Sequence, residues 1–315
     1  MREGFRIAIK PTILREGDSI GLVTLGSPIL NMDTYSTGVQ MLRNQGFNII
    51  FGRYVTSFGG IVSAPPRERA MDLMNMFLNA NVKMILATRG GTGVQSIFPY
   101  LNFDVIRRNP KIVSGYSDIT ALLNALYQYS NIITFHSLMI ADFRSDTPPY
   151  NFNQFFAATS TTAAPRVIEN PPNMPLVSLV AGNVTGPIVG GNLTSIVNTL
   201  GTPYEIDTRG KILLIEEVSA PSNTIYRYLS QLSLAGKFND CVGFIIGQCT
   251  NCLTSYGTTF DDLIRAFLVP LGKPMISNLA TGHGYYKATI PIGATVTLNA
   301  TNRTLTVMES TVSVG

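Results

Sequence analysis

Apolar and polar positions follow a regular alternation of two patterns over the first half of the chain. Short apolar runs, several rich in β-branched residues, indicate buried strands, and the segments between them carry apolar residues at helical spacing. The strand-like runs lie at residues 19–25, 47–51, 82–87, 112–113 and 132–135. Strands that alternate with helices predict a parallel sheet with right-handed crossovers, so this half is predicted to be an α/β domain.

A second series of strands and helices begins after residue 185. Runs at residues 186–192, 211–218 and 242–246 indicate strands, and each is followed by apolar residues at helical spacing. Near the end, Val296 and Leu298 alternate with polar residues, as do Leu305 and Val307 after a turn at 301–303. The pattern predicts a mixed α/β domain that finishes in a β-hairpin.

The stretch between the two series has a different composition. It carries Thr-Pro-Pro at 147–149, a Ser/Thr run at 159–162 and Asn-Pro-Pro at 170–172, which is typical of a linker or covering loop. A chain of 315 residues also exceeds the size of a typical single domain. We therefore predict an N-terminal domain over 1–145, a linker or covering loop over 146–175, and a C-terminal domain over 176–315.

Composition and charge exclude some classes of binding partner. Apolar residues make up 45% of the chain and charged residues 13%, which is enough apolar material for real cores. The net charge is +4, and the Lys and Arg residues are scattered along the chain. No basic run is interleaved with aromatics, so no nucleic-acid partner is predicted. No apolar h-region follows the charged start, and no apolar run is long enough to span a bilayer. We therefore expect a cytoplasmic protein with no membrane partner.

One turn is a candidate for chemistry. Ile112 and Val113 indicate a strand and helical spacing starts at Ile119, so Ser117 is predicted to lie in a tight strand-to-helix turn. A serine there exposes its hydroxyl beside the free N–H groups of the helix start, as a serine nucleophile requires. The alternative is that Ser117 or Asp118 only caps the helix, and on the turn alone that is the commoner role.

A glycine-rich loop follows the strand at 82–87. Its sequence, Arg89-Gly90-Gly91-Thr92-Gly93, lacks the spacing of dinucleotide and P-loop motifs. It is either a tight turn or a backbone that approaches a substrate closely and offers N–H donors. Because ligands bind outside the carboxyl ends of parallel strands, Gly26-Ser27, Gly90-Gly91 and Ser117 are predicted to share one rim.

The second half contributes a carboxylate pair and a histidine. Glu216 and Glu217 end an apolar strand, so one side chain could face a site while the other meets solvent; a solvated strand end is the alternative for both. His283 lies in a turn between glycines, where we expect it to be exposed and free to act as a general base. His136, the chain's other histidine, follows the strand at 132–135 and is the competing candidate.

Cysteine usage indicates neither a disulfide framework nor a metal site. The chain has three cysteines, and an odd number in a long chain suggests free thiols. Cys249 and Cys252 form a C-x-x-C without a second pair nearby, so neither a zinc site nor a redox motif is favoured. We predict no metal and no cofactor.

Together these motifs resemble the LD-carboxypeptidase (muramoyl-tetrapeptide carboxypeptidase) family of serine peptidases. The matching motifs follow in order from about residue 11 to residue 307. They include Arg89-Gly90-Gly91-Thr92-Gly93, Gly115-Tyr116-Ser117-Asp118, Thr134-Phe135-His136, Gly190-Gly191-Asn192-Leu193, Ile215-Glu216-Glu217 and Gly282-His283. The resemblance implies an α/β fold, with an N-terminal Rossmann/flavodoxin-like three-layer domain built on a parallel sheet. The C-terminal domain it implies is a mixed α/β, β-rich, swivelling domain.

The resemblance also implies a Ser-Glu-His triad divided between the two domains. Matched position by position, the nucleophile falls on Ser117, the carboxylate on Glu216 and the base on His283. The implied oxyanion donors are the backbone N–H groups of Gly91, or its neighbour Gly90, and of Asp118.

The activity implied by the family is release of the terminal D-alanine from murein tetrapeptides, through an acyl-enzyme, in cytoplasmic peptidoglycan recycling by a homodimer. Two alternatives stay open. Relatives that inactivate microcin-type peptidyl-nucleotides are thought to stack the nucleobase on an aromatic, often tryptophan, and this chain has no Trp, although Tyr or Phe can stack too. The other alternative is a non-catalytic module that binds a wall peptide; loss of a triad member would mark it, and none is lost.

Overall fold

The computed structural model describes residues 7–315. Its strands, in chain order, are β1 (Ser19–Val23), β2 (Asn48–Phe51), β3 (Val82–Ala87), β4 (Ile112–Gly115), β5 (Thr134–His136), β6 (Arg166–Val167), β7 (Val177–Val180), β8 (Asn183–Asn192), β9 (Ile212–Val218), β10 (Gly243–Thr250), β11 (Met275–Leu279), β12 (Ile290–Ile292), β13 (Thr295–Asn299) and β14 (Thr304–Val307). Its α-helices are α1 (Met32–Asn44), α2 (Pro66–Leu78), α3 (Phe103–Arg108), α4 (Ile119–Ser130), α5 (Pro149–Thr159), α6 (Leu193–Val197), α7 (Ser222–Leu234), α8 (Lys237–Asp240) and α9 (Phe260–Leu268). Short 3-10 helices lie at Val94–Tyr100, Ile140–Asp142 and Val269–Leu271. Within residues 7–315, no helix is both long and apolar enough to cross a bilayer.

The first sheet is built almost entirely from the N-terminal half. Its strands lie in the order β12-β5-β4-β3-β1-β2, and β1 to β5 all run parallel. The edge strand β12 comes from near the C-terminus and pairs antiparallel with β5, with Ile290 opposite His136. The second half of the chain therefore completes the sheet of the first.

The second sheet is larger and mixed. Its order is β6-β14-β13-β8-β9-β10-β11-β7; the central strands β8 to β11 are parallel and the flanking ones antiparallel. β13 and β14 form the predicted hairpin. The predicted fold class is confirmed: a parallel-sheet α/β region followed by a mixed, β-rich one.

Helix α4, which starts just after Ser117, links the two halves. It packs against α3 of the first half and against α6 and β8 of the second. Leu122, Leu123 and Leu126 are all fully buried, as expected for a helix that is apolar on most of its faces. The start of α4 is therefore held in place by both halves.

The segment predicted to be a linker or covering loop contains more structure than its composition indicated. Helix α5 lies within it, with Phe155 and Ala158 fully buried, and β6 pairs with β14. Pro149 occupies the first position of α5, where proline favours a helix start, yet the proline-rich composition had suggested a loop. The boundaries predicted for the domains stay a prediction.

The expectation of free thiols is wrong for one pair. Cys249 and Cys252 form a disulfide, and Cys241 is free and buried. Cys249 lies near the end of β10 and Asn251, in the left-handed region at φ 55°, turns the chain after it. That turn brings the two Cα atoms to 5.5 Å, which the odd cysteine count could not indicate.

Candidate active site

Ser117 lies in the turn between β4 and α4, as predicted. Its φ of 62° is in the left-handed region, which costs a residue with a side chain about 1 kcal/mol or more. Its carbonyl oxygen accepts a hydrogen bond from the N–H of Thr120 at 2.9 Å, which closes the turn. The side chain of Asp118, which precedes the first residue of the helix, makes no capping hydrogen bond. The turn is thus a strained elbow rather than an ordinary capped helix start.

The carboxylate of Asp118 fixes this elbow to its surroundings. One oxygen accepts from the N–H of Val94 at 2.8 Å, and the other accepts from Ser195 Oγ at 3.4 Å. Burial raises the pKa of the Asp118 carboxyl, while the Val94 N–H opposes that rise. The elbow is therefore attached both to the loop after β3 and to α6 of the second half.

The glycine-rich loop packs directly against Ser117. A Cβ added at Gly90 would lie 2.8 Å from Ser117 Oγ and 3.1 Å from the Asp118 nitrogen. Gly91 has φ 96°, and a Cβ there would overlap Ser27. The structure thus brings the predicted rim residues together, with glycine required where backbone approaches the serine.

Glu216 lies on β9, and its side chain is fully buried. Its Oε2 accepts from His283 Nδ1 at 2.8 Å. A Cβ at Gly282 would overlap the Glu216 carboxylate, so the residue before His283 must be glycine for this contact to form. The carboxylate fixes which imidazole nitrogen carries the proton, and leaves Nε2 as the proton acceptor.

Glu217 has a structural role instead, and the alternative of a solvated strand end is wrong for both glutamates. Glu217 is 2% exposed. Its carboxylate accepts from the N–H and Oγ1 of Thr194 at 2.8 and 2.6 Å, and from Asn192 Nδ2 at 3.1 Å. The alternation of side chains along β9 is as predicted, but α6 covers the face that was expected to meet solvent.

His283 is less exposed than a turn between glycines suggests. Its side chain is 15% exposed, because the ring of Tyr116 packs edge-on against it at 5.0 Å between centroids. Lys287 Nζ donates to the carbonyl of Gly284 at 2.6 Å and steadies the turn. The imidazole keeps an orientation set by its neighbours and still reaches the cleft.

Ser117 and His283 line the same cleft, which has a volume of about 320 Å³. Tyr116, Gly90 and Gly91 also line it, and other walls come from the start of α1 and from residues 139–141. Glu216 lies behind His283, out of contact with solvent. The sequence-predicted nucleophile and base thus face one cavity, with the predicted carboxylate behind the base.

His136, the competing histidine, is fully buried and does not line the cleft. Its Nε2 lies 3.9 Å from Glu216 Oε1. Burial lowers the pKa of His136 to about 4, against the opposing charge of Glu216. His136 therefore stays neutral, and its Nε2 lies beyond hydrogen-bond distance of the Glu216 carboxylate.

Sequence reasoning missed the residues that support His283. Tyr116 packs on its ring, and the Tyr116 hydroxyl donates to Asp142 Oδ1 at 3.2 Å. Asn151, from α5, accepts from the Lys287 N–H at 2.8 Å and donates to the Tyr285 carbonyl at 3.1 Å. The position of Tyr116 next to Ser117 was a signal for Tyr116, whereas nothing in the sequence pattern indicated Asn151.

In the described part of the chain, no three His, Cys, Asp or Glu side chains cluster as a metal site would require.

Comparison with known proteins gives this arrangement a family. Residues 20–137 match the model of the LD-carboxypeptidase N-terminal domain, and residues 185–298 match that of the LD-carboxypeptidase C-terminal domain. A probable murein peptide carboxypeptidase of Bacillus subtilis is 32% identical over 100% of this chain and 99% of its own length.

Two further relatives have solved structures. The microcin C7 self-immunity protein MccF of Escherichia coli is 25% identical over 95% of this chain and 96% of its own. A structure of MccF in complex with glutamyl sulfamoyl guanosine superposes with a TM-score of 0.91 over 96% of this chain and 99% of that one. The muramoyltetrapeptide carboxypeptidase of Oxalobacter formigenes superposes with a TM-score of 0.78, at 25% identity, over 91% and 97%. With both domain models matched and a relative above 30% identity along its whole length, the chain belongs to the LD-carboxypeptidase family of peptidases.

Proposed function

We propose that the protein is a serine carboxypeptidase that releases the terminal D-alanine from murein tetrapeptides by hydrolysing the L,D bond after the diamino acid. The observation that carries the proposal is the 2.8 Å contact between Glu216 Oε2 and His283 Nδ1, behind a cleft that Ser117 and His283 both line. A buried carboxylate, an oriented imidazole and a serine on a strained elbow are the parts that acyl transfer by serine requires.

In the first half-reaction, Ser117 Oγ attacks the carbonyl carbon of the scissile amide while His283 Nε2 takes the hydroxyl proton. The N–H groups of Gly91 or Gly90, and of Asp118, donate to the developing oxyanion. His283 then gives its proton to the amine of D-alanine, the C–N bond breaks, and an ester on Ser117 remains. Glu216 stabilises the imidazolium that exists between these two transfers.

The second half-reaction regenerates the enzyme. Water takes the place of the departed amine, His283 removes its proton, and the resulting hydroxide attacks the ester carbon. The second tetrahedral oxyanion collapses, the ester C–O bond breaks, and the proton on His283 returns to Ser117 Oγ. The scheme uses three groups that line the cleft, Ser117, His283 and the Gly90-Gly91 backbone, together with the N–H next to Ser117 and the carboxylate behind His283.

Two relatives support the choice of substrate. One is called a probable murein peptide carboxypeptidase and another a muramoyltetrapeptide carboxypeptidase. We propose the same substrate class here, and with it a place in peptidoglycan recycling in the cytoplasm, as a homodimer.

The test is a substrate comparison with the wild-type protein. Incubation with L-Ala-γ-D-Glu-meso-diaminopimelate-D-Ala is expected to yield free D-alanine and the tripeptide, as followed by mass spectrometry. The pentapeptide that ends in D-Ala-D-Ala should release no D-alanine, because its terminal bond joins two D-centres. Absence of D-alanine release from the tetrapeptide would contradict the proposal.

An aminoacyl-sulfamoyl nucleoside is the third substrate in this comparison, because MccF has been solved with glutamyl sulfamoyl guanosine. Cleavage of this compound faster than the tetrapeptide, at matched concentrations, would assign the protein to the peptidyl-nucleotide alternative. Binding of the tetrapeptide without turnover of any of the three would favour a binding module.

A further inference from the structure

The wall of the cleft beside the glycine-rich loop carries a fixed positive charge. Arg89 lines the cleft next to Gly90 and Gly91, and it is half-buried. Among the described residues that line the cleft, Arg89 is the only lysine or arginine, and none is an aspartate or a glutamate. Because a guanidinium is charged at every pH at which proteins work, the cleft has a permanent cation and no anion in its walls to balance it.

The hydrogen bonds of Arg89 leave most of its donors available. Nη1 donates to the carbonyl of Pro28 at 3.1 Å, which orients the group. In the described part of the chain, Arg89 forms no ion pair with a carboxylate, whereas Arg144 pairs with Asp146 at 2.8 Å. Since a guanidinium has five N–H donors in a planar fork, the remaining ones can bind a carboxylate that enters the cleft.

A different arginine holds the glycine-rich loop in place. Arg69 is 1% exposed, and it donates to the carbonyl of Gly93 at 3.0 Å and to Ser96 Oγ at 2.9 Å. These buried contacts fix the far end of the loop. The half-buried Arg89 is therefore not needed for that purpose, which leaves its charge to be explained.

The start of α1 adds a second feature that favours an anion. Asn31 and Thr34 line the cleft, and the Asn31 side chain caps the helix by accepting from the Thr34 N–H at 2.9 Å. The first N–H groups of a helix have no partner within it, and this end of a helix carries partial positive charge. Asp33, the acidic residue of this turn, is exposed and does not line the cleft. An arginine and a helix N-terminus thus contribute to one cavity.

A carboxylate very close to the reacting bond would fit this arrangement. In a C-terminal residue, three covalent bonds separate the α-carboxylate carbon from the scissile carbonyl carbon, so the two lie within about 4 Å of each other. Arg89 is the chain neighbour of Gly90, where an added Cβ would lie 2.8 Å from Ser117 Oγ. The cation therefore comes from the part of the wall nearest to the nucleophile.

We propose that Arg89 binds the α-carboxylate of the residue that is released, and so restricts the enzyme to the free C-terminus of a peptide. The inference rests on the proposed function, under which this carboxylate belongs to D-alanine. The other carboxylates of a murein tetrapeptide are less suitable ligands. That of the diamino acid is at the far end of its side chain, and that of D-glutamate lies beyond a further amide bond.

The test compares the tetrapeptide that ends in D-alanine with the same peptide ending in D-alaninamide, which has no terminal charge. For the wild type we expect kcat/KM to be about 10- to 100-fold higher for the acid, as charge-assisted hydrogen bonds provide. In Arg89→Met this ratio should fall close to one, mainly through a higher KM for the acid. Arg89→Lys keeps the charge but not the planar fork, so its ratio should be intermediate.

Two controls separate carboxylate binding from other effects of the substitution. Arg144→Met removes the same charge from an exposed position that does not line the cleft, and it should keep the wild-type ratio. The rate at which an uncharged fluorophosphonate labels Ser117 reports on the serine and its base without any carboxylate. Labelling of Arg89→Met should stay within a few-fold of the wild-type rate.

The outcomes distinguish this inference from the proposed function. A wild-type ratio near one would overturn the role of Arg89, and so would an equal loss of activity on the acid and the amide in Arg89→Met. A wild-type protein that releases neither D-alanine nor D-alaninamide would instead overturn the proposed function, and this inference with it.

Discussion

At the scale of single residues, two adjacent glutamates have different tasks because a strand sends them to opposite faces. Glu216 contacts His283 and Glu217 contacts Asn192 and Thr194 of the second half. Both are buried, so burial alone does not distinguish the carboxylate that contacts the candidate base from the one that contacts α6. Their hydrogen-bond partners do, and this contrast yields a paired experiment.

We expect Glu216→Gln and Glu217→Gln to affect different properties. Removing the charge behind His283 should lower kcat by about 10⁴-fold, the size of effect known when a serine-peptidase triad loses its carboxylate. The Glu217 change should leave kcat within a few-fold but lower the free energy of unfolding by about 1–3 kcal/mol, because a buried acceptor is lost. Steady-state kinetics and urea denaturation of both variants check this, and the reverse assignment would count against the site as described.

Gly90 offers a steric test of the nucleophile. In Gly90→Ala, the added Cβ would lie 2.8 Å from Ser117 Oγ, and we expect kcat to fall about 100-fold, as for a catalytic group displaced by about 1 Å. The variant should fold, since its backbone is outside the left-handed region. A fluorophosphonate labelling rate equal to that of the wild type would show that the loop does not constrain Ser117.

Most residues of the candidate site could be predicted from the sequence, and for each there is a specific reason. Ser117 follows a recognisable strand and precedes a recognisable helix, so its turn could be placed. His283 could be singled out because the chain has two histidines. The burial of Glu217 was missed because it depends on α6, a separate element that lies next to Glu217 only once the second sheet has formed.

At the scale of elements, α5 supports the turn that carries His283. Asn151 on this helix is 1% exposed and contacts Tyr285 and Lys287, just after that turn. The predicted linker therefore contains an element of the site. The sequence could not indicate this, because the flanking prolines are typical of a loop. The identity of an asparagine also does not show which residues, more than a hundred positions away, it contacts.

We predict that Asn151→Ala loosens the His283 turn. Loss of two buried hydrogen bonds should cost about 1–3 kcal/mol in unfolding free energy and lower kcat about tenfold, through a less ordered base. Hydrogen exchange of residues 281–287 should become faster. Asn153→Ala is the control, because Asn153 lies on the exposed side of the same helix. Equal exchange in the two variants would show that α5 does not stabilise the turn.

At the scale of the whole molecule, the site exists because the two sheets interlock. β12 crosses from the second half to pair with β5, and α4 packs against both halves. The strand alternation predicted each sheet separately. It could not predict β12, which is three residues long and has no periodicity of its own, nor that His136 of one sheet lies 3.9 Å from Glu216 of the other.

The buried His136 makes stability depend on pH. Burial lowers its pKa in the folded protein to about 4, from 6.5. As pH falls from about 6.5 to about 4, the unfolded chain therefore takes up a proton that the folded protein does not, and stability is lost over that range, by up to about 3 kcal/mol. Urea denaturation of the wild type and of His136→Gln at pH 7, 6 and 5 checks this. The difference between the two should shrink or reverse toward low pH, and parallel curves would contradict it.

The most direct test of the central claim is the rate of D-alanine release from the murein tetrapeptide by Ser117→Ala, compared with Ser27→Ala. Both serines lie at the same rim, and Ser27 Oγ accepts from the Thr92 N–H at 3.1 Å. If Ser117 is the nucleophile, its alanine variant should lose about 10⁴-fold or more in kcat, while Ser27→Ala keeps activity within about tenfold, as for a group that only supports the loop. Release of D-alanine by folded Ser117→Ala at a rate near that of the wild type would contradict the account.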